Sequence, residues 1–111
     1  MINILDTDIK DLKLIEPRVF NDERGYFFES FNQKKFKKEI GNIVFVQDNE
    51  SYSKYGVLRG LHYQKAPYEQ SKLVRVIKGE IQDVAVDLRL ESPTYLKHFS
   101  CILNEKNKKQ L

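Results

Sequence analysis

The chain has 111 residues, 41% of them hydrophobic and 32% charged, with a formal net charge of +3. That length holds one domain, spanning 1–111, with enough apolar side chains for a modest core. The small basic excess is spread along the chain and gives no case for nucleic acid as a partner, and no window nears the 18 consecutive apolar residues of a membrane span.

Cys101 is the only cysteine, so an internal disulfide is excluded and nothing points to an oxidising compartment. The start, "MINILDTDIK", lacks the basic and apolar regions of a signal peptide, and the cytoplasm is the expected location. No repeat, linker or low-complexity tract interrupts the sequence.

In chain order, "LKLIEPRVF" reads as an extended segment broken at Pro17. A turn follows at Asn21 to Gly25, then an aromatic strand from Tyr26 to Phe31. The spacing predicts one short helix over Asn32 to Ile40: Phe36 and Ile40 are four apart, lysines cover the other side, and Gly41 supplies the stop. "NIVFVQDNES" and "VLRGLHYQ" read as strands. "KLVRVI" and "IQDVAVDLR" flank Lys78-Gly79 and predict a hairpin. "SPTYLKHFSCIL" is the last strand. Six or seven short strands with turn signals every 8–12 residues place the chain in the mainly β class, as a sandwich or barrel.

Strand parity identifies the unusual polar residues. Lys72 shares a face with Val74 and Val76, so its ammonium either turns toward the core side or snorkels to water. In the partner strand Val84, Val86 and Leu88 form one face, and Asp83, Ala85 and Asp87 the other. In "VLRGLHYQ" strict alternation puts Arg59 and His62 on opposite faces, unless a bulge at Gly60 brings both to one cavity. On pattern alone a single histidine in a strand is more often structural than catalytic. His62 has no ligand partner at two- or four-residue spacing and His98 lies far away, so no metal site is expected. Phosphate-binding glycine loops are also missing.

Five ordered blocks, "RVFNDERGYFFESF", "QDNES", "GVLRGLHYQ", "KLVRVIKGEIQDVAVDLRLESPTY" and "LNEKNKKQL", resemble the dTDP-4-dehydrorhamnose 3,5-epimerase family from about Leu14 to Leu111. The resemblance implies a cupin-like jelly roll with one short helix, dimeric through exchanged N-terminal strands. The implied substrate is a dTDP-linked 4-keto-6-deoxy sugar on the way to L-rhamnose, with no cofactor and no metal. It makes His62 the catalytic base and Lys72 the group that holds the enolate oxygen. Arg24, Glu29 and Phe20 would contact the nucleotide, in the neighbouring subunit's site. Gln47 and Asn49 would add nucleotide contacts, and Arg59 would hold the diphosphate.

The family continues past the block that matches "NEKNKKQL", so the chain reads as C-terminally truncated and the domain as incomplete. The tyrosine that reprotonates the sugar, the aspartate that orients the base and a second pocket histidine find no match here. The expectation is a weak proton-exchange catalyst; the alternatives are a dTDP-sugar binder without turnover and an epimerase acting at a single carbon.

Overall fold

The computed structural model describes residues 2–111. Six strands and one helix follow in the order β1 (Asn3–Asp6), β2 (Lys13–Glu16), β3 (Val19–Asp22), β4 (Gly25–Phe28), α1 (Gln33–Glu39), β5 (Glu80–Val86) and β6 (His98–Asn104). The strands pair antiparallel, β1 with β2, β3 with β4 and β5 with β6. The chain is mainly β, as the sequence predicts.

Pro17 separates β2 from β3, because proline supplies no N–H to a ladder. The β3–β4 turn ends at Gly25, whose φ of 134° is open to glycine. Helix α1 starts where the Asn32 side chain accepts the Lys35 N–H at 3.0 Å, and it ends before Gly41, at φ 146°. The aromatic strand stops at Phe28, short of the expected Phe31. Phe31 turns instead onto the buried Phe36 of the helix, 4.8 Å between ring centres, and Phe45 completes the cluster at 5.5 and 6.5 Å. These edge-on contacts hold a helix too short to stand alone.

The predicted hairpin around Lys78-Gly79 does not form. Gly79, at φ 88°, does bend the chain, but its carbonyl accepts the Glu105 N–H at 3.1 Å, and its N–H donates to Glu105 Oε2 at 3.3 Å. The bend therefore feeds β5 into a seven-residue register with β6, from Glu80 opposite Asn104 to Val86 opposite His98. The segment before the bend pairs with the end of the chain. Val74 and Leu111 exchange hydrogen bonds at 2.9 and 3.0 Å, and Gln110 and Ile15 exchange theirs at 2.7 and 2.9 Å. Residues 110 and 111 thus lie between β2 and the Val74–Arg75 segment.

The main core gathers there, with Ile15, Leu103 and Leu111 buried. The better-buried face of β5 carries Asp83 and Ala85, opposite Cys101 and Phe99 of β6, and Asp87 continues it just past the strand, while Val84 and, beyond the strand, Leu88 are exposed. Burial raises the Asp83 carboxyl and the Cys101 thiol above their ordinary values. Gln110 is fully buried and its side-chain Nε2 and Oε1 have no partner. The strands expected at "NIVFVQDNES" and "VLRGLHYQ" are not formed. Burial still alternates from Ile43 to Val46, but no neighbouring strand supplies a ladder.

Asp87 is the buried charge. Its carboxylate, 1% exposed, accepts Arg89 Nε at 2.9 Å and Nη2 at 3.0 Å, and the hydroxyls of Ser92 and Thr94 at 2.6 Å each. Arg89 reaches on to Asp11 Oδ2 at 2.9 Å and to the Lys10 carbonyl at 2.7 Å. The network ties the β1–β2 connection to the β5–β6 connection. Arg89 first, then the two hydroxyls, hold the Asp87 carboxyl well below the usual range.

Two outcomes follow from this packing. Phe36→Ala removes the centre of the aromatic cluster and should lower stability by about 3 kcal/mol in urea unfolding; a change under about 0.5 kcal/mol would mean that the cluster holds nothing. A carboxyl depressed in the folded state contributes fully above its unfolded pKa of about 3.9, and that contribution is lost as pH falls below it. Urea midpoints should therefore fall between pH 5 and pH 2 (roughly that window), and more shallowly in Asp87→Asn than in the parent. Equal slopes would remove Asp87 as a source of acid sensitivity.

Candidate active site

The predicted site residues fall into three groups. The first belongs to the β3–β4 hairpin. Phe20 and Phe27 stand opposite one another in register and are 50% and 70% exposed, and the Arg18 guanidinium lies 4.8 Å from the Phe20 ring centre. On the other face, Tyr26 and Phe28 lie beneath the Lys108 ammonium, 3.9 and 5.9 Å from their ring centres. The turn holds Arg24, whose Nη2 meets Asp22 Oδ2 at 2.7 Å while Asp22 Oδ1 accepts the Arg24 N–H at 2.8 Å. The pair raises the guanidinium and lowers the carboxyl. Both side chains are exposed, so the pair orients Arg24 more than it stabilises the fold.

Glu29, just past β4, accepts Lys35 Nζ of α1 at 3.1 Å, and this hydrogen bond lowers its carboxyl. An ionised carboxylate is thereby held beside the aromatic hairpin.

The second group surrounds a cavity of about 310 Å³. Gln47 lines it, together with Ile43 and Phe45 on one side and Glu69, Gln70 and Ser71 on the other. Lys72, exposed, follows Ser71 directly, and Asn49 lies exposed two residues beyond Gln47. Lys72 is placed by its neighbours: two residues later Val74 is fixed by its paired hydrogen bonds to Leu111.

The third group is Arg59 and His62. Arg59 donates from Nε to Ser53 Oγ at 2.8 Å and from Nη2 to the Tyr52 carbonyl at 3.1 Å. Gly60, at φ 114°, breaks the regular alternation on which opposite faces were expected. A Cβ at this position would stand 3.4 Å from the His62 backbone nitrogen and 3.8 Å from its Nδ1, so glycine lets the imidazole fold back close to the chain. His62 is exposed and does not line the cavity beside Gln47.

The structure thus joins Arg24 to Asp22, Glu29 to Lys35, Arg59 to Ser53, and Gln47 to the stretch before Lys72. No pocket described here has both His62 and Lys72 on its wall. Among the described residues, no three His, Cys, Asp or Glu side chains gather as a metal site would require. Among the described residues no helix is long and apolar enough to cross a membrane. The sequence reading missed the Asp87 network, although "DLRLESPT" spells it: a carboxylate, an arginine two residues on, and two hydroxyl residues at five and seven. It also missed Gln110, for which no local pattern gives a signal.

Comparison with known proteins places these parts. The dTDP-4-dehydrorhamnose 3,5-epimerase of Shigella flexneri is 56% identical over 111 residues, covering 99% of this chain and 61% of the relative. The Bacillus anthracis dTDP-4-dehydrorhamnose 3,5-epimerase, solved with TDP and PPi bound, superposes with a TM-score of 0.94 at 46% identity, covering 99% of this chain and 63% of that one. The Legionella pneumophila dTDP-6-deoxy-D-glucose-3,5-epimerase, solved with dTDP-4-keto-L-rhamnose, gives 0.94 at 51% identity, covering 99% and 58%. The fold is therefore that of the cupin-like jelly-roll sugar-nucleotide epimerases. The family model for dTDP-4-dehydrorhamnose 3,5-epimerase matches residues 6–111, and the chain belongs to that family. It spans about 60% of the length of the curated relatives it matches.

Proposed function

We propose that the chain is the part of a dTDP-4-dehydrorhamnose 3,5-epimerase that binds a dTDP-linked 4-keto-6-deoxyhexose and removes a proton beside its ketone. The observation that carries this reading is the superposition, over 99% of the chain, on an epimerase solved with dTDP-4-keto-L-rhamnose. Residues 1–111 are read as one jelly-roll domain that is incomplete relative to the family, acting in the cytoplasm toward L-rhamnose.

A C–H bond next to a ketone is weakly acidic, and its cleavage needs a base and a cation for the developing enolate. His62 takes the proton on its imidazole. The electron pair of the C–H bond moves to the carbonyl oxygen, where Lys72 holds the negative charge. Return of a proton to the opposite face inverts the carbon. The ketone itself supplies the activation, so no metal or cofactor enters the scheme.

Arg59 takes the diphosphate. Its two contacts with Ser53 and Tyr52 set the guanidinium plane, which suits it to a bidentate oxyanion. Gln47 and Asn49 add polar contacts to the nucleotide. The exposed Phe20 face and the ion-paired Arg24 and Glu29 reach the thymidine end of a neighbouring subunit's site, in a homodimer that exchanges N-terminal strands. The 50% and 70% exposure of Phe20 and Phe27 supports that role, since such apolar surface favours a covered state.

The assignment is tested by solvent deuterium uptake into the 4-keto sugar, followed by NMR. His62→Ala should slow uptake by about 10²–10⁴-fold, and Lys72→Met by about 10²-fold or more. An unchanged rate in His62→Ala takes the base role away from the imidazole. The second reading is a dTDP-sugar binder without turnover. Binding without uptake above the His62→Ala level selects it.

Titration calorimetry with thymidine diphosphate tests the anion site. Arg59→Ala should weaken binding by about tenfold or more, the value of a charge-assisted hydrogen bond. An equal dissociation constant assigns the diphosphate to another group.

A further inference from the structure

The β3–β4 hairpin is a two-stranded sheet by itself, and among the described residues no backbone hydrogen bond joins it to another element. Its Arg24–Asp22 pair lies within the hairpin, and Glu29, just past it, reaches the neighbouring helix. A lone hairpin has little stability of its own, so its direction depends on side chains from elsewhere.

The turn after β6 supplies one. Asn104 Oδ1 accepts the N–H groups of Lys106 and Asn107 at 3.0 and 2.6 Å, and Asn107 Oδ1 accepts those of Asn104 and Lys109 at 3.2 and 3.0 Å. Asn107 Nδ2 also donates to the Ile102 carbonyl at 2.9 Å. Lys108, held inside this turn, has a φ of 53°, a left-handed conformation that side chains rarely adopt. The bonds of the two asparagines offset that cost, and its effect is a direction. Lys109 reaches Glu16 Oε2, at the end of β2, at 3.9 Å, whereas Lys108 reaches the Tyr26 and Phe28 rings at 3.9 and 5.9 Å. Successive lysines thus take hold on either side of Pro17. The Lys108 ammonium also donates to the Glu105 carbonyl, and the residue is half-buried. A cation over an aromatic face is drawn to the ring quadrupole, more strongly as water is excluded.

We propose that Lys108 is a positioning residue for nucleotide binding. Its ammonium, seated on Tyr26 and Phe28, sets the direction in which the hairpin's opposite face presents Phe20 and its turn presents Arg24. Lys108 acts through the two rings and not on the ligand itself. This role rests on the nucleotide contacts proposed for Phe20 and Arg24, and is independent of the proton chemistry given to His62 and Lys72.

The test compares Lys108→Met, Lys108→Arg and Lys106→Met in the full 111-residue chain. Amide hydrogen exchange reads the hairpin without ligand. In Lys108→Met the amides of β3 and β4 should exchange about fivefold faster, with those of β5 and β6 unchanged. Titration calorimetry then uses two probes, thymidine diphosphate and inorganic pyrophosphate. Lys108→Met should weaken thymidine diphosphate by about fivefold and leave pyrophosphate unchanged, because the hairpin meets the nucleoside and Arg59 the phosphates. Lys108→Arg keeps a cation over the rings and should restore the parent values. Lys106→Met removes the same charge from an exposed position in the same turn and should change neither readout.

Unchanged exchange in the hairpin of Lys108→Met overturns the role, and so does an equal loss of affinity for both probes, which would mark a general weakening. Phe20→Ala separates this role from the reading beneath it. If Phe20→Ala weakens thymidine diphosphate and Lys108→Met does not, the nucleotide reading stands and the positioning role is overturned. If the parent chain does not bind thymidine diphosphate, or if Phe20→Ala and Arg24→Ala both leave its affinity unchanged, the nucleotide reading of the hairpin fails and the role falls with it.

Discussion

Two residues in extended form, Gln110 and Leu111, hold the molecule together. One side of this short piece exchanges hydrogen bonds with Ile15 of β2, and the other with Val74. Four backbone bonds of 2.7–3.0 Å thereby fasten the N-terminal hairpin to the stretch that carries Lys72. Without them Lys72 would belong to a segment with no fixed place. The same insertion buries Ile15 and Leu111, so hydrophobic burial and backbone satisfaction act at one point. It also encloses the Gln110 amide without a partner, an arrangement that opposes folding by about 1–3 kcal/mol. The core tolerates that polar group because the backbone on either side of it is fully paired.

The Asp87 network works on the other connection. A carboxylate removed from water needs its lone pairs filled, and five donors fill those of Asp87: Arg89 Nε, Nη2 and backbone N–H, with the hydroxyls of Ser92 and Thr94. Arg89 then spends its remaining reach on Asp11 and on the Lys10 carbonyl. The loop after β5 and the loop after β1 are joined by directional bonds, where an apolar contact would let them slide. This is a network of high specificity, since loss of Arg89 would leave the buried Asp87 carboxylate with only the two hydroxyls to answer its charge.

Much of this was written locally in the sequence. Pro17 ended β2, Asn32 and Gly41 framed the helix, and "SPTYLKHFSCIL" read as a strand, which forms from His98 on while Ser92 to Leu96 turn instead around Asp87, because each signal acts within a few residues of itself. The Lys78-Gly79 turn failed as a hairpin for the opposite reason. The bend is local, but its partner is Glu105, 26 residues away, and that contact decides which strand lies beside β5. Alternation in "IQDVAVDLR" separated two faces correctly without saying which was inside; the aspartate face is the buried one because β6 sets Cys101 and Phe99 against it. As for the site, pattern alone left His62 and Lys72 ambiguous. The ordered blocks singled them out, and the backbone explains only in part how they are held.

That partial hold is the feature that joins structure to chemistry. The paired strands, the helix cluster and the Asp87 network lie on either side of a middle stretch whose backbone is open, and this stretch carries Gln47, Asn49, Arg59 and His62. A general base works only when its reach to the proton is fixed to a fraction of an ångström. An imidazole on unpaired backbone lacks that definition, whereas Arg59 is already set by Ser53 and Tyr52. Anion binding asks for charge and a rough fork of donors; proton abstraction asks for exact placement. On the roles proposed for them, Arg59 is therefore the better oriented of the two, and His62 the less. The proposed base role of His62 therefore asks for the backbone on both sides of Gly60 to be fixed, because that sets the direction of the imidazole ring.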